Sequence, residues 1–212
     1  VTRPKTNGEG VPVVACDIDG TLGEFHAYFL EFAEKWFGQG MPDPNKINPG
    51  SPLWTFMGVE QRDYRECKLA YRQSGLKRAM PVYQGSAALS AIVKSAGAEF
   101  WICTTRPYLR LDNIDPDTRE WLRRNDIQYD AVLFGEDKYV ELVRQVTLGR
   151  IVAVIDDLPE MLEAARHLGI KKRYQRAQPY NTMYTNAWLY QENYTLMDLI
   201  QEDIKQWFTT TG

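Results

Sequence analysis

No stretch of this sequence is long and apolar enough to cross a bilayer, and its opening residues, VTRPKTNGEG, are polar where a secretory leader carries an apolar segment. Both absences point to a cytoplasmic protein without a membrane partner. Cysteine is scarce: Cys16, Cys67 and Cys103 are odd in number and lack metal-ligand spacing, which argues against a disulfide framework. Cys16 and Cys103 sit in apolar, strand-like runs and read as reduced core thiols. Histidine is scarcer still, and His26 and His167 are too few and too far apart for a metal site. His167, near a helix end, reads as a partner of the helix dipole. The lack of any broad basic run argues against a sequence-unspecific nucleic-acid coat protein. There is no internal repeat. A net charge of -3 neither demands nor forbids a phosphorylated ligand, because local cations and a metal decide that question. With 212 residues, 44% of them hydrophobic, the chain can build one sizeable core with a small appendage.

Four short apolar runs that end in polar or acidic residues punctuate the chain: VPVVACDID, AEFWICTT, YDAVLFGED and RIVAVIDD. They read as buried parallel strands, and the helical stretches SAALSAIVKSAG and LPEMLEAARHLG each close on a glycine suited to a helix C-terminus. Alternating strands and helices predict an α/β fold, a doubly wound parallel sheet whose ligand sits outside the carboxyl ends of the strands. The segment 24–80 is too long for a plain crossover. It opens on the amphipathic FHAYFLEFAEKWF, passes through the loop-like MPDPNKINPGSP and continues into the helical VEQRDYRECKLAYRQSG. It reads as a small helical cap inserted after the first strand, with 1–23 and 81–212 forming the α/β core. The chain closes on an amphipathic helix, LMDLIQEDIKQWF.

The chemistry gathers at the strand ends. Asp17 and Asp19, two apart, can project toward one face. Two carboxylates about 4 Å apart at an effective dielectric of about 20 repel by roughly 4 kcal/mol, so the pair invites a divalent cation or a shared proton. Read alone, Asp19-Gly20 is equally a turn after a buried strand. Asp156 and Asp157 end another strand; Asp157, with Pro159 and Glu160 after it, also fits a helix cap. Four acidic residues converging on one edge suggest a hard-cation site, and oxygen ligands favour magnesium over zinc. Thr104 and Thr105 could hold a phosphate oxygen, or belong to a turn before Arg106-Pro107. Lys138 beside carboxylates and a phosphate would neutralise charge. Arg106 could reach a substrate phosphate or an acidic group, whereas Arg62, Arg65 and Arg72 read as a solvated helix face. The order of these pieces argues against a receiver domain, which presents its acidic pair before its phosphorylated aspartate.

In that order the sequence resembles the haloacid dehalogenase superfamily, whose four motifs appear as DIDGT, Thr104, Lys138 and the pair Asp156-Asp157. The resemblance covers roughly 11–23 and 81–169, with a cap in the family's usual position. It implies an aspartyl-phosphate phosphatase: Asp17 attacks phosphorus, and Asp19 protonates the leaving oxygen and then activates water. Thr104 and Lys138 would hold the phosphoryl oxygens, and Thr105 and Arg106 are further phosphate-contact candidates from their position alone, not from the resemblance. Magnesium would be bound by the Asp17 carboxylate, the Asp19 carbonyl and Asp157, with Asp156 in support.

Within the superfamily, DIDGTLGEFHAYFLEFAEKWF, WICTTRP, LFGEDK and VIDDLPE look like the surroundings of the motifs in the deoxyribonucleotidase branch. That likeness implies a nucleoside monophosphate whose base packs on Phe25 and on cap aromatics such as Trp54 or Phe56. Phe25, Phe29 and Phe32 also form an ordinary apolar helix face. Thr105-Arg106 and the loop LRLDNIDPD depart from the branch. A phosphatase for a sugar phosphate or a nucleic-acid end is the nearest alternative, and a non-catalytic phosphate-binding protein the next. A homodimer is compatible with the sequence.

Overall fold

The computed structural model describes residues 10–48, 50–107, 109–181 and 197–210, without the side chains of 197–200 and 203. Five parallel strands form one sheet in the order β3-β2-β1-β4-β5: β1 Val13–Cys16, β2 Glu99–Thr104, β3 Ala131–Phe134, β4 Ile151–Asp156 and β5 Arg173–Gln175. The central strand β1 is apolar at every position because it is covered on both faces. Val14 and Cys16 point into one layer and Val13 and Ala15 into the other.

The first layer contains α4 (Ser86–Ser95), α5 (Ile114–Arg124) and α8 (Met197–Thr210), which contribute Leu89, Trp121 and Phe208. The second contains α6 (Lys138–Gln145) and α7 (Pro159–His167), which contribute Leu142 and Leu162. All three cysteines are buried and free. No helix among the described residues is long and apolar enough to cross a membrane.

Between β1 and α4 the chain inserts α1 (Phe25–Phe37), α2 (Leu53–Met57) and α3 (Gln61–Gln73). Helix α1 coincides with the amphipathic run read from the sequence and ends on Gly38, whose left-handed φ of 65° lets its N–H reach the Glu34 carbonyl. Phe29 on its inner face is fully buried against Tyr64 and Tyr71 of α3, a burial worth about 2 to 3 kcal/mol. Four links pin the end of the insert to the sheet domain. Trp121 Nε1 donates to the Met80 carbonyl at 2.6 Å and Asn113 Nδ2 to the Arg72 carbonyl at 2.8 Å; Arg78 pairs with Asp117, and Lys77 with Asp19. Part of the loop LRLDNIDPD is therefore the first turn of α5, the element that grips the insert. Pro116 is tolerated there because the first turn has no intrahelical acceptor for its missing N–H.

Candidate active site

Strands β1, β2 and β4 lie side by side, so their carboxyl ends deliver Asp17, Thr104 and Asp156-Asp157 to one edge. After Asp17 the chain turns tightly, with the N–H groups of Leu22 and Gly23 both donating to the Ile18 carbonyl. Gly20 sits in this turn at φ 100°, and a Cβ there would collide with Asp157 Oδ2 and the Tyr180 hydroxyl. The glycine of the DxDGT pattern is thus required by close approach as well as by its backbone conformation.

Asp17, Asp156 and Asp157 are buried, and one ligand oxygen from each lies within 4.8 Å of the others. The fully buried Lys138 faces them, with Nζ 2.5 Å from Asp17 Oδ1 and 2.6 Å from Asp156 Oδ2. Asp156 also accepts from the Tyr139 hydroxyl and the Leu158 N–H. Among the described residues the Asp157 carboxylate accepts from two hydroxyls, Thr21 Oγ1 at 2.8 Å and Tyr180 at 2.5 Å. Three carboxylates against one ammonium leave two negative charges uncompensated. Burial, reinforced by Asp156, accordingly pushes the Asp17 carboxyl up to about 7 against the pull of Lys138. Burial, with Asp156 and Asp17, likewise holds the Asp157 carboxyl well above the usual range. The Lys138 ammonium is itself disfavoured by burial, but Asp156 and Asp17 outweigh this and raise its pKa. An all-oxygen donor set with a deficit of two charges fits a divalent hard cation such as magnesium.

Asp19 faces the other way. Arg106 grips it through two bonds, Nε to Oδ2 at 3.0 Å and Nη2 to Oδ1 at 2.6 Å, while Lys77 reaches Oδ2 at 2.7 Å. Burial disfavours its charge, yet Arg106 and Lys77 outweigh burial and hold the carboxyl far below the usual range. Beside it opens a cavity of about 180 Å³, whose wall includes Phe25, Thr105, Asp157 and the cations Lys68, Arg72, Lys77 and Arg106.

The structure brings Asp17, Asp19, Thr104, Arg106, Lys138, Asp156 and Asp157 to one strand edge, although Arg106 is bound to Asp19 instead of standing free for a phosphate. Thr104 is buried, with Oγ1 accepting the Arg106 N–H at 3.4 Å; Thr105 is exposed on the cavity wall. Phe25 reaches the same wall while its ring stacks 5.6 Å from Phe29, so it is both core and lining. Trp54 lies elsewhere, packed 5.9 Å from Tyr64 and absent from the cavity lining. Arg62 and Arg65 are exposed as expected, but Arg72 is half-buried and turned to the cavity. His167 closes α7 and lies 3.3 Å from Glu163. The sequence reading missed Lys77, a lone lysine in an unremarkable LKRA turn. It also missed the loop after β5, where Tyr180 and Asn181 bond Asp157, and Gln178 Nε2 donates to the Gly20 carbonyl.

No protein-family model matches the chain, and no curated protein matches it in sequence. Solved structures do match. A HAD hydrolase of family IA from Entamoeba histolytica is 15% identical with a TM-score of 0.61, over 93% of this chain and 99% of that one. A HAD family hydrolase from Deinococcus radiodurans, with phosphate and sodium bound, is 14% identical with a TM-score of 0.66, over 93% and 96%. Protein Tyrosine Kinase A from Mycobacterium tuberculosis is 19% identical with a TM-score of 0.63, over 93% and 99%. The chain therefore has the haloacid dehalogenase-like fold, a five-stranded parallel sheet with a helical insert after β1. Two hydrolases and a kinase share it, so the reaction must be argued from the site.

Proposed function

We propose that the protein is a magnesium-dependent phosphomonoester hydrolase working through a phosphoryl group on Asp17. The observation that carries this reading is the buried cluster of Asp17, Asp156 and Asp157 facing Lys138 at the carboxyl ends of β1 and β4. Asp157, whose carboxylate is held by two neutral hydroxyls, and Asp17 would bind the cation directly, with Asp156 orienting Lys138. Bound there, magnesium supplies positive charge against the oxygens of the phosphoryl group.

Lys138 engages Asp17 Oδ1, which leaves Oδ2 to attack phosphorus. The P–O bond to the alcohol breaks as the P–Oδ2 bond forms, and the alcohol oxygen takes a proton from Asp19. A water deprotonated by Asp19 then attacks phosphorus, releasing phosphate and restoring the Asp17 carboxylate. Paired with Arg106 and Lys77, Asp19 is a carboxylate suited to the second half-reaction. Acid duty in the first half requires those cations to turn from Asp19 to the substrate. Thr104 and Thr105 would hold phosphoryl oxygens from the end of β2.

For the substrate, the cavity supports a small phosphomonoester, such as a sugar phosphate fragment, better than a nucleotide. Phe25 could meet a base, but Trp54 is off the wall and cations occupy much of it. The test is acid quenching during turnover of a 32P-labelled phosphomonoester. Label should remain covalently on the wild-type chain and be absent from Asp17→Asn; equal labelling of both would reassign the nucleophile.

A further inference from the structure

The cavity beside Asp19 carries more positive charge than the phosphoryl group needs. Four cations line it, Lys68, Arg72, Lys77 and Arg106, against the carboxylates of Asp19 and Asp157. Asp19 occupies Lys77 and Arg106, and Asp157 belongs to the cluster around Lys138. Lys68 and Arg72 remain. They are one turn apart on α3 and half-buried, and neither has a carboxylate partner among the described residues. Lys68 Nζ is held by the Tyr64 hydroxyl at 3.0 Å and lies 5.8 Å from the centre of the Phe25 ring. Burial, then Arg72, pushes its ammonium down to about 8. A solvated helix face would turn such residues outward; here they face a cavity and crowd like charges together.

We infer that Lys68 and Arg72 form a subsite for a second anionic group on the substrate, a carboxylate or phosphate carried on a short carbon chain beside the phosphoryl group that is removed. The size of the cavity agrees. About 180 Å³ holds a group of roughly benzene size, on the order of six heavy atoms, far less than a nucleoside. Lys77 and Arg106, between the two charges, would be shared by Asp19 and the incoming anion. This inference rests on the phosphatase reading for the position of the phosphoryl group, and on the cavity for everything else.

The experiment measures phosphate release with magnesium for two substrate pairs that differ in the second anion: ethyl phosphate against 2-phosphoglycolate for a carboxylate, and propyl phosphate against propane-1,3-diol bisphosphate for a phosphate. Wild type should prefer the anion-bearing member of at least one pair by tenfold or more in kcat/KM, and the pair that responds identifies the anion. A hydrogen-bonded charge pair of this kind contributes about ten- to a hundredfold. Lys68→Gln and Arg72→Gln should each cut that preference about tenfold, chiefly through KM, and Arg72→Lys should restore part of it. Residues that only support the fold would lower both members of a pair equally. No preference in wild type, or equal losses in the variants, overturns the subsite. If none of the four compounds is hydrolysed, the phosphatase reading fails for small phosphomonoesters, and calorimetry on the full chain decides the subsite: the anion-bearing member of at least one pair must bind at least tenfold more tightly than its partner in wild type and lose that margin in Lys68→Gln.

Discussion

Two charged clusters meet at the strand edge, and they are built in opposite ways. Around Lys138 lie three buried carboxylates, two of them bonded to its ammonium; around Asp19 lie four cations, two of them bonded to its carboxylate. The first is made by strand ends fixed in a sheet, so its geometry is set by the fold and its charge deficit calls for a cation. The second is assembled from an inserted helix, the turn after it and a loop, so it depends on the insert staying closed and its surplus calls for an anion. A metal on one side and an anionic substrate on the other would leave both clusters balanced, and phosphoryl transfer needs that juxtaposition.

The largest effect should come from the acidic side. Asp17→Asn is expected to lower kcat by at least about a thousandfold with the fold intact, because an amide does not replace the attacking carboxylate. Variants of Lys68 or Arg72 should cost no more than about a hundredfold. Steady-state phosphate release compares the two, and losses of equal size would erase the division of labour. Stability offers a second contrast. Lys138→Met removes the ammonium paired with buried Asp17 and Asp156, and should destabilise the metal-free protein by about 3 to 5 kcal/mol. Lys77→Met leaves Asp19 still gripped by Arg106 and should cost clearly less. Urea unfolding in chelator measures both, and a larger cost at Lys77 would invert the account.

Proton linkage sharpens the same point. The Asp17 carboxyl is raised to about 7 in the metal-free fold, so between about pH 4 and pH 7 the folded state binds more protons than the unfolded state. By itself this group makes stability fall as pH rises through that window, by at most about 1.4 kcal/mol per unit, while His26, which burial pushes down to about 4, contributes the opposite slope between about pH 4 and 6.5. Denaturation at a series of pH values in chelator should therefore give wild type a more negative slope than Asp17→Asn, and magnesium should remove the difference. Equal slopes in the two proteins would mean that the carboxylates are already compensated. The smallest effect belongs to the cavity wall: Phe25→Leu, which keeps an apolar side chain but removes the ring, should cost about 1 to 2 kcal/mol and change kcat/KM for small phosphomonoesters less than threefold. A tenfold loss confined to nucleotides would restore the base-stacking reading.

The carboxyl-edge residues were legible in the sequence for a physical reason. A strand buried on both faces must be apolar throughout, so the polar residues after VVAC and IVAVI stand out at the sheet edge. The same logic failed for β5, three residues of mixed polarity that add an edge to an existing sheet. Helix α5 was obscured by Pro116 in its first turn. Lys77, Tyr180 and Asn181 reach the site through tertiary contacts at sequence distances of 58, 23 and 24 residues, and no local pattern announces such contacts. Arg72 was misread because its helix is polar on most of its circumference, so its sequence does not mark which polar side meets the cavity. The resemblance to nucleotidases put Phe25 and Trp54 together against a base; Phe25 lies on the cavity wall, whereas Trp54 packs on Tyr64 away from it.

The central claim is that the buried carboxylate cluster is a magnesium site on which turnover depends. The direct measurement is phosphate release from 2-phosphoglycolate or ethyl phosphate by exhaustively chelated protein during titration with magnesium. The account predicts no turnover without the ion, recovery on its addition, and a requirement at least tenfold higher in Asp157→Ala than in wild type. Full turnover in the presence of chelator would contradict it.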